Sequence, residues 1–250
     1  MAYTVIRAGD RSLTTTAWLT SHHCFSFGDH YDPSNTHHGA LIASNEEFLS
    51  PNSGFTSHRH QESEIVTWVS SGTLVHRDSA GNSGVVHPGL AQRMSAGIGV
   101  DHSERNDIWP DLPGSGTQTT HYVQMWVIPD QHGLSPSYEQ RDISAELTSG
   151  ELVAMASGNP DRPAAISIAN SGATLYAALP TAGKILEAPS ARFTHVFVVK
   201  GTVDVTDKEG ETFTLRPGDA ARGTNSGPTR LLSTSNAEIL VWVMDRGLGE

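Results

Sequence analysis

Three histidines and one glutamate stand out by type and spacing. His58 and His60 lie two apart in Gly54-Phe55-Thr56-Ser57-His58-Arg59-His60, and His102 and Glu104 lie two apart in Gly97-Ile98-Gly99-Val100-Asp101-His102-Ser103-Glu104. Side chains alternate faces along a strand, so an i, i+2 pair points one way, with about 7 Å between its Cα atoms. Two such pairs on neighbouring strands would aim three imidazoles and one carboxylate at a single point. That set suits a borderline divalent ion: Fe, Mn, Ni, Cu or Zn. An ion preferring six ligands would keep two positions for water, substrate or dioxygen, and open positions make a site catalytic rather than structural.

Parity tests the second pair. Ala96, Ile98, Val100, His102 and Glu104 fall on one face of a strand, and Gly97, Gly99, Asp101, Ser103 and Arg105 on the other. The apolar residues share their face with His102 and Glu104, so both should point inward. A buried carboxylate is costly unless paired or bound to a cation. A metal held by His58, His60 and His102 would satisfy Glu104. The stretch from Ser57 to Gln61 is too short and polar for the same test.

The elements that must position these residues are short and turn-bounded. Charged residues are 17% of the 250, with 24 Gly and 13 Pro, a composition that suits a turn-rich β protein with a proper core. Ala40 to Ala43 predicts a strand. Ile65 to Val69 and Thr73 to Val75 flank Ser70-Ser71-Gly72 and predict a hairpin. Asp78-Ser79-Ala80-Gly81-Asn82 and His87-Pro88-Gly89 predict turns, and His121 to Ile128 a strand stopped by Pro129. Residues 107–120 read as a loop, and 129–150 as an irregular connector with one helical turn.

Gly72-Thr73, Asp78, Gly81, Pro88-Gly89, Ala91 and Arg93 have identical counterparts in Gly201-Thr202, Asp207, Gly210, Pro217-Gly218, Ala220 and Arg222, all at one offset (201 minus 72 is 129). One ungapped register, mostly at turns, indicates a duplicated β unit. The same offset carries His58, His60, His102 and Glu104 onto Glu187, Pro189, Leu231 and Ser233, so the second copy lacks the ligands.

The formal charge of -11, the pI near 5.5 and the absence of a basic stripe argue against direct nucleic-acid binding. One cysteine, Cys24, excludes an internal disulfide framework and reads as a small buried residue. There is no basic-then-apolar leader and no apolar run near membrane-spanning length. A soluble, cytoplasmic monomer without membrane attachment is expected.

These residues carry a recognisable pattern. Gly54 with His58-x-His60-x-x-x-Glu64 and Gly72 resembles the first cupin motif, and Gly97-x-Gly99-x-x-His102-x-x-x-Asn106 resembles the second. More narrowly, Phe25-Ser26-Phe27 with Tyr31-Asp32-Pro33, the Gly72 to Asn82 stretch, Met94-Ser95-Ala96-Gly97, Gln124-x-Trp126 and Gly133 to Gln140 resemble the pirin family. The resemblance is good over residues 10 to 142 and loose beyond. It implies an all-β chain of two cupin (double-stranded β-helix, jelly-roll) barrels. Residues 1–130 would be a metal-binding cupin, and 131–250 a second cupin without metal. His58, His60, His102 and Glu104 would hold a divalent ion, foremost Fe(2+). Some bacterial pirin-like proteins act as quercetin 2,3-dioxygenases. The implied activity is therefore ring opening of a chelated flavonol by dioxygen with release of carbon monoxide. Glu104 would be either a fixed ligand or the base that takes the flavonol proton. Animal members imply an alternative, a non-catalytic regulator whose metal tunes a protein-binding surface.

This sequence departs from the family in Arg59, where Pro is usual, and in a longer 107–120 loop placed to reshape the mouth of the site. Glu64 stands where many cupins carry their carboxylate ligand, and the resemblance makes it non-ligating here. Gln124 and Trp126 share a strand face and are candidates to line the pocket. His22, His23, His37 and His38 read as solvated surface, and His76 as a hairpin residue facing solvent or bonded to a neighbour.

Overall fold

Runs of β-branched and aromatic residues, cut every few positions by Gly, Pro, Asn or Asp, fold as antiparallel strands throughout. The computed structural model describes residues 3–250. They form two seven-stranded and two four-stranded sheets. One sheet of each size makes the N-terminal barrel and the other two make the C-terminal barrel, so the expected pair of all-β barrels is the fold observed.

The duplication holds strand by strand. Glu64–Ser71 and Phe193–Lys200, Leu74–Asp78 and Val203–Thr206, and Ser83–Val86 and Thr212–Leu215 all start 129 residues apart (193 minus 64, 203 minus 74, 212 minus 83). Ahead of Glu64 the offset is different, since Leu41–Leu49 and Ala173–Ala178, and Ser53–His60 and Ile185–Ala188, start 132 apart (173 minus 41, 185 minus 53), and past Asn106 the register is lost again. Thr120–Val127 and Glu238–Met244 occupy equivalent sheet positions, but their starts differ by 118 (238 minus 120), because the first copy carries the longer loop.

Several local expectations are corrected. Glu64–Ser71 and Leu74–Asp78 are not a hairpin, because the first belongs to the seven-stranded sheet and the second to the four-stranded one. The turn between them is a corner where the chain changes sheets. Gly72 takes φ +75 there, and a Cβ on it would lie 2.8 Å from the Thr120 Cα. The true hairpin joins Leu74–Asp78 to Ser83–Val86, and Asp78 Oδ1 accepts the N–H groups of Ala80 and Asn82 in its turn. The strand expected over Ala40 to Ala43 runs over Leu41–Leu49. The stretch 129–150 is more ordered than expected, with a strand at Ser137–Asp142 and one helical turn at Ser144–Leu147.

The two barrels also exchange edges. Tyr3–Ile6 pairs with Ala220–Thr224 in the C-terminal barrel, and Ser137–Asp142 pairs with Leu90–Ser95 in the N-terminal one. The chain therefore does not pass from one barrel to the other at a single point.

The barrels pack face to face through their large sheets, with Ile143 and Leu147 of the connector in the same buried cluster. Val66, Trp68, Val123 and Met125 of one sheet meet Phe197, Val199, Leu240 and Trp242 of the other in one buried cluster. Inside this layer Glu238 accepts hydrogen bonds from Trp68 Nε1 (2.7 Å), Ser70 Oγ (2.8 Å) and Lys200 Nζ (3.0 Å). The opposite faces of the same strands line the barrel interiors. The C-terminal interior is filled by Val196, Val198, Val205, Leu231, Val241 and their neighbours. Among the described residues no helix is long and apolar enough to cross a membrane.

Replacing Glu238 with Ala strips the buried Trp68 N–H and Ser70 hydroxyl of their acceptor. A loss of about 2–3 kcal/mol is expected in urea unfolding, with both barrels still unfolding in one transition because the damaged layer belongs to both.

Candidate metal centre

The site lies inside the N-terminal barrel, on the four-stranded sheet. Val100–Asn106 runs centrally between Ser53–His60 and Leu74–Asp78. Its burial alternates, with Val100, His102, Glu104 and Asn106 buried and Asp101, Ser103 and Arg105 half-exposed, so His102 and Glu104 point inward as parity requires. Ile98 does not follow. It sits in the turn before the strand and is 63% exposed. Gly54 takes φ +144 opposite Arg105, where a Cβ would lie 2.4 Å from the Glu104 carbonyl oxygen. Any side chain there would push the two ligand strands apart.

His102 is directly opposite His58, while Glu104 is opposite Phe55. Two residues on one strand therefore span three on the other, a β-bulge in Ser53–His60. The bulge resets the alternation, so that Phe55, His58 and His60 all line one cavity despite their mixed parity. Arg59 points outward, 3.3 Å from Asp101 on the neighbouring strand, which leaves the cavity untouched by its substitution for Pro.

His58, His60 and His102 each offer a ligand atom, all within 4.8 Å of one another; His76, His102 and Glu104 form a second such group, so His102 belongs to both. The hydrogen bonds fix which nitrogens are free. His58 donates Nδ1–H to the Thr56 carbonyl (2.8 Å), leaving the Nε2 lone pair available. His76 donates Nε2–H to Asp78 Oδ2 (3.2 Å) and accepts at Nδ1 from the Nδ1–H of His102 (3.5 Å). His102 Nε2 is therefore a lone pair as well. His60 Nε2 and His102 Nε2 are buried with no hydrogen-bond partner. Buried nitrogens left bare cost free energy, and a cation is the natural partner for a cluster of neutral ones. Burial, followed by the neighbouring imidazoles, lowers the pKa of His60 to about 4, and that of His102 is lowered to about 3, also chiefly by burial. Both rings are thus neutral and ligand-competent at neutral pH. The residues present fit a divalent metal.

Glu104 is 3% exposed and has a protein partner as well. Gln124 Nε2 lies 2.8 Å from both of its carboxylate oxygens, and Trp126 donates Nε1–H to Gln124 Oε1 (2.9 Å). The three residues form a chain across the barrel floor. The cavity above them measures ≈ 180 Å³ and is lined by Phe27, Glu47, Phe55, His58, His60, Glu104, Gln124 and Trp126.

Glu64 faces away from this cavity, accepting from Ser95 Oγ (2.7 Å) and the Ala169 N–H (3.1 Å). Of the two alternatives for His76, the bonded one holds: it is a fully buried hairpin residue paired with Asp78. Other expectations are revised. His23 is buried, bonded to Asn45 (3.0 Å) and stacked on Phe27. His38 is partly buried against Phe193 and bonded to the Gly223 carbonyl (3.0 Å). The 107–120 loop supplies no residue to the cavity lining. Its Trp109 packs under Arg77, which is exposed on the outer face of the small sheet. The mouth is shaped instead by Phe27, set edge-on to Trp126 at 5.2 Å.

Phe27, Phe55, Glu47 and His76 were missed as site residues. Phe55 was hidden by the bulge, and Phe27 lies in a loop with no periodicity. Glu47 carried a weak signal, since two carboxylates in a row beside an apolar run demand at least one inward partner.

Residues 6–127 match the Pirin family and residues 180–224 match an EutQ-like cupin domain. A Mycobacterium tuberculosis protein named "Putative quercetin 2,3-dioxygenase" is 49% identical over 244 residues, covering 98% of this chain and 96% of its own. The chain belongs to the pirin family. Another relative, the Escherichia coli (strain K12) quercetin 2,3-dioxygenase, is 40% identical over 139 residues, 56% of this chain and 57% of its own. The solved Escherichia coli pirin YhhW superposes with a TM-score of 0.85 at 29% identity, over 97% of each chain. The same pirin in complex with nickel(II) superposes at 0.83 with 28% identity, over 98% of this chain and 99% of that one.

Both depressed histidines titrate below the ordinary value near 6.5, so their contribution to stability is full above about pH 6.5 and is lost as pH falls toward 4 and then 3. Thermal unfolding of metal-free protein should show a falling Tm over this window. The fall should be shallower in His102→Gln, which has no proton to gain.

Proposed function

We propose that this pirin is a metal-dependent dioxygenase of flavonols such as quercetin. The observation that carries the reading is the cluster of His58, His60 and His102, with unpartnered buried nitrogens on His60 and His102, beside an aromatic-walled cavity that His58 and His60 line. Relatives bearing the quercetin 2,3-dioxygenase name support the substrate class, and the nickel(II) complex of YhhW supports metal binding in the family. The ligands are His58, His60, His102 and Glu104, and the resident ion is iron(II). When bound, the metal supplies Lewis acidity toward the flavonol's 3-hydroxyl and 4-carbonyl edge and access to dioxygen chemistry.

The chain's own side chains do the rest. Phe27, Phe55 and Trp126 present flat apolar surface to a flat aromatic substrate and exclude water from it. The Asp78–His76–His102 chain holds the His102 ring in the tautomer that leaves Nε2 free. Burial opposes ionisation of Asp78, but hydrogen bonds from Asn82 and His76 outweigh it and keep the carboxyl below its usual range, so it remains an acceptor. Gln124 orients Glu104. The second barrel, with Leu231 packed at the position equivalent to His102, is structural in this reading and buttresses the sheet behind the site.

The test is oxygen uptake by iron(II)-loaded protein on a panel of flavonols, with loss of quercetin's visible absorption and carbon monoxide release. Wild type should consume one dioxygen per flavonol, and His60→Ala should lower turnover about 100-fold or more. Wild type that binds metal stoichiometrically yet leaves every flavonol and dioxygen untouched would overturn the assignment.

A further inference from the structure

A second carboxylate opens onto the same cavity. Glu47 is 5% exposed, and it lies in a cross-strand row with Ser21 on one side and Tyr122 on the other. Both neighbours donate to it, Ser21 Oγ to Oε1 at 3.0 Å and Tyr122 Oη to Oε2. Among the described residues no cationic side chain bonds to it. Glu46, the next residue, faces the opposite way and has both Arg11 (2.6 Å) and His121 (2.9 Å). Placing an acid in a cavity wall with hydroxyl partners and no counter-charge is costly for stability. It is the arrangement expected of a group that gains and loses a proton during work.

The roles of the two cavity carboxylates separate by their partners. Both oxygens of Glu104 face the Gln124 amide, and Trp126 fixes that amide. A carboxylate so engaged, and bound to a cation, is a weak base and is not free to swing away. We propose that Glu47 is the proton acceptor for the substrate's hydroxyl, while Glu104 stays a ligand throughout. This rests on the flavonol reading. The flavonol O–H bond breaks, its electron pair stays on oxygen, and the proton passes to a Glu47 carboxylate oxygen. Dioxygen is the only oxidant needed. The proton returns to the carboxylate of the ring-opened product, so none is gained or lost over the cycle. In the metal-free protein, burial pushes the Glu47 carboxyl up to about 7 against the pull of Tyr122 and Ser21. The like charge of Glu104 acts in the same direction.

The experiment is anaerobic binding of quercetin to the iron(II)-loaded full chain across pH, reading the absorption band of the ionised flavonol, followed by turnover in air. In weakly buffered solution at pH 8, wild type should ionise bound quercetin with almost no proton release, because Glu47 keeps the proton, whereas Glu47→Gln should release about one proton for each flavonol ionised. The variant should keep its metal and turn over about 100-fold more slowly, and Glu47→Asp should restore part of the rate. Equal proton release and equal turnover in wild type and Glu47→Gln would overturn the proposal. Wild type that binds metal but no flavonol would overturn the substrate reading, and this proposal with it. Tyr122→Phe gives an independent check should Glu47→Gln lose its fold. Without the phenol donor the acid limb of the turnover profile should move to higher pH, and an unmoved limb counts against Glu47.

Discussion

A negative charge buried in a barrel wall has to be answered, and the answer organises the N-terminal half of this protein. Glu104 sits at the centre of the small sheet, away from water, and its charge is met by the Gln124 amide from the large sheet across the barrel. Gln124 can reach it only because the same strand face that presents Gln124 also presents Tyr122 and Trp126 inward. The opposite face of that strand, with Val123, Met125 and Val127, is the packing surface against the other barrel. One strand thus holds the site on one side and the inter-barrel core on the other, so the site's geometry depends on how the two halves of the chain dock.

The duplicated barrels show what a metal-type cavity requires. Their strand orders match, and their turns fall at the same spacing. They differ in what fills the interior. In the second copy apolar side chains occupy the space, Leu231 among them, and the barrel is a packed core. In the first copy polar side chains of opposite character face each other, and the space between them stays open. An open polar cavity weakens packing, and the face-to-face contact with a solid neighbour offsets that loss.

Tautomer control ties the small sheet's remaining strand to the site. Asp78 has two duties. One oxygen closes the hairpin turn and the other anchors His76, which in turn orients His102. A turn residue that also sets the protonation pattern of a ligand couples local loop geometry to the chemistry of the centre. Glu47 on the facing sheet is held instead by two hydroxyl donors, Ser21 and Tyr122.

The sequence by itself determined the fold class, the duplication and the inward face of His102 and Glu104, because these depend on local periodicity and on turn residues whose backbone needs are intrinsic. The ungapped repeat of Gly, Asp and Pro was enough to place matching strands before any contact was known. The identity of the partners was a different matter. Glu104 was expected to need a cation, and the fold supplies Gln124 as well; the sequence marked Gln124 as a pocket candidate but not its contact with Glu104. Phe55 joined the cavity because a bulge reset the parity, and a bulge is a property of two strands together. His23 was read as surface because its own segment is polar; it is buried because of what packs over it. The hairpin expected at Ser70-Ser71-Gly72 became a corner between sheets, since a tight turn has the same local chemistry whether the chain returns on itself or crosses to another layer. Local preference sets the elements, while burial and pairing between distant segments decide which side chains meet.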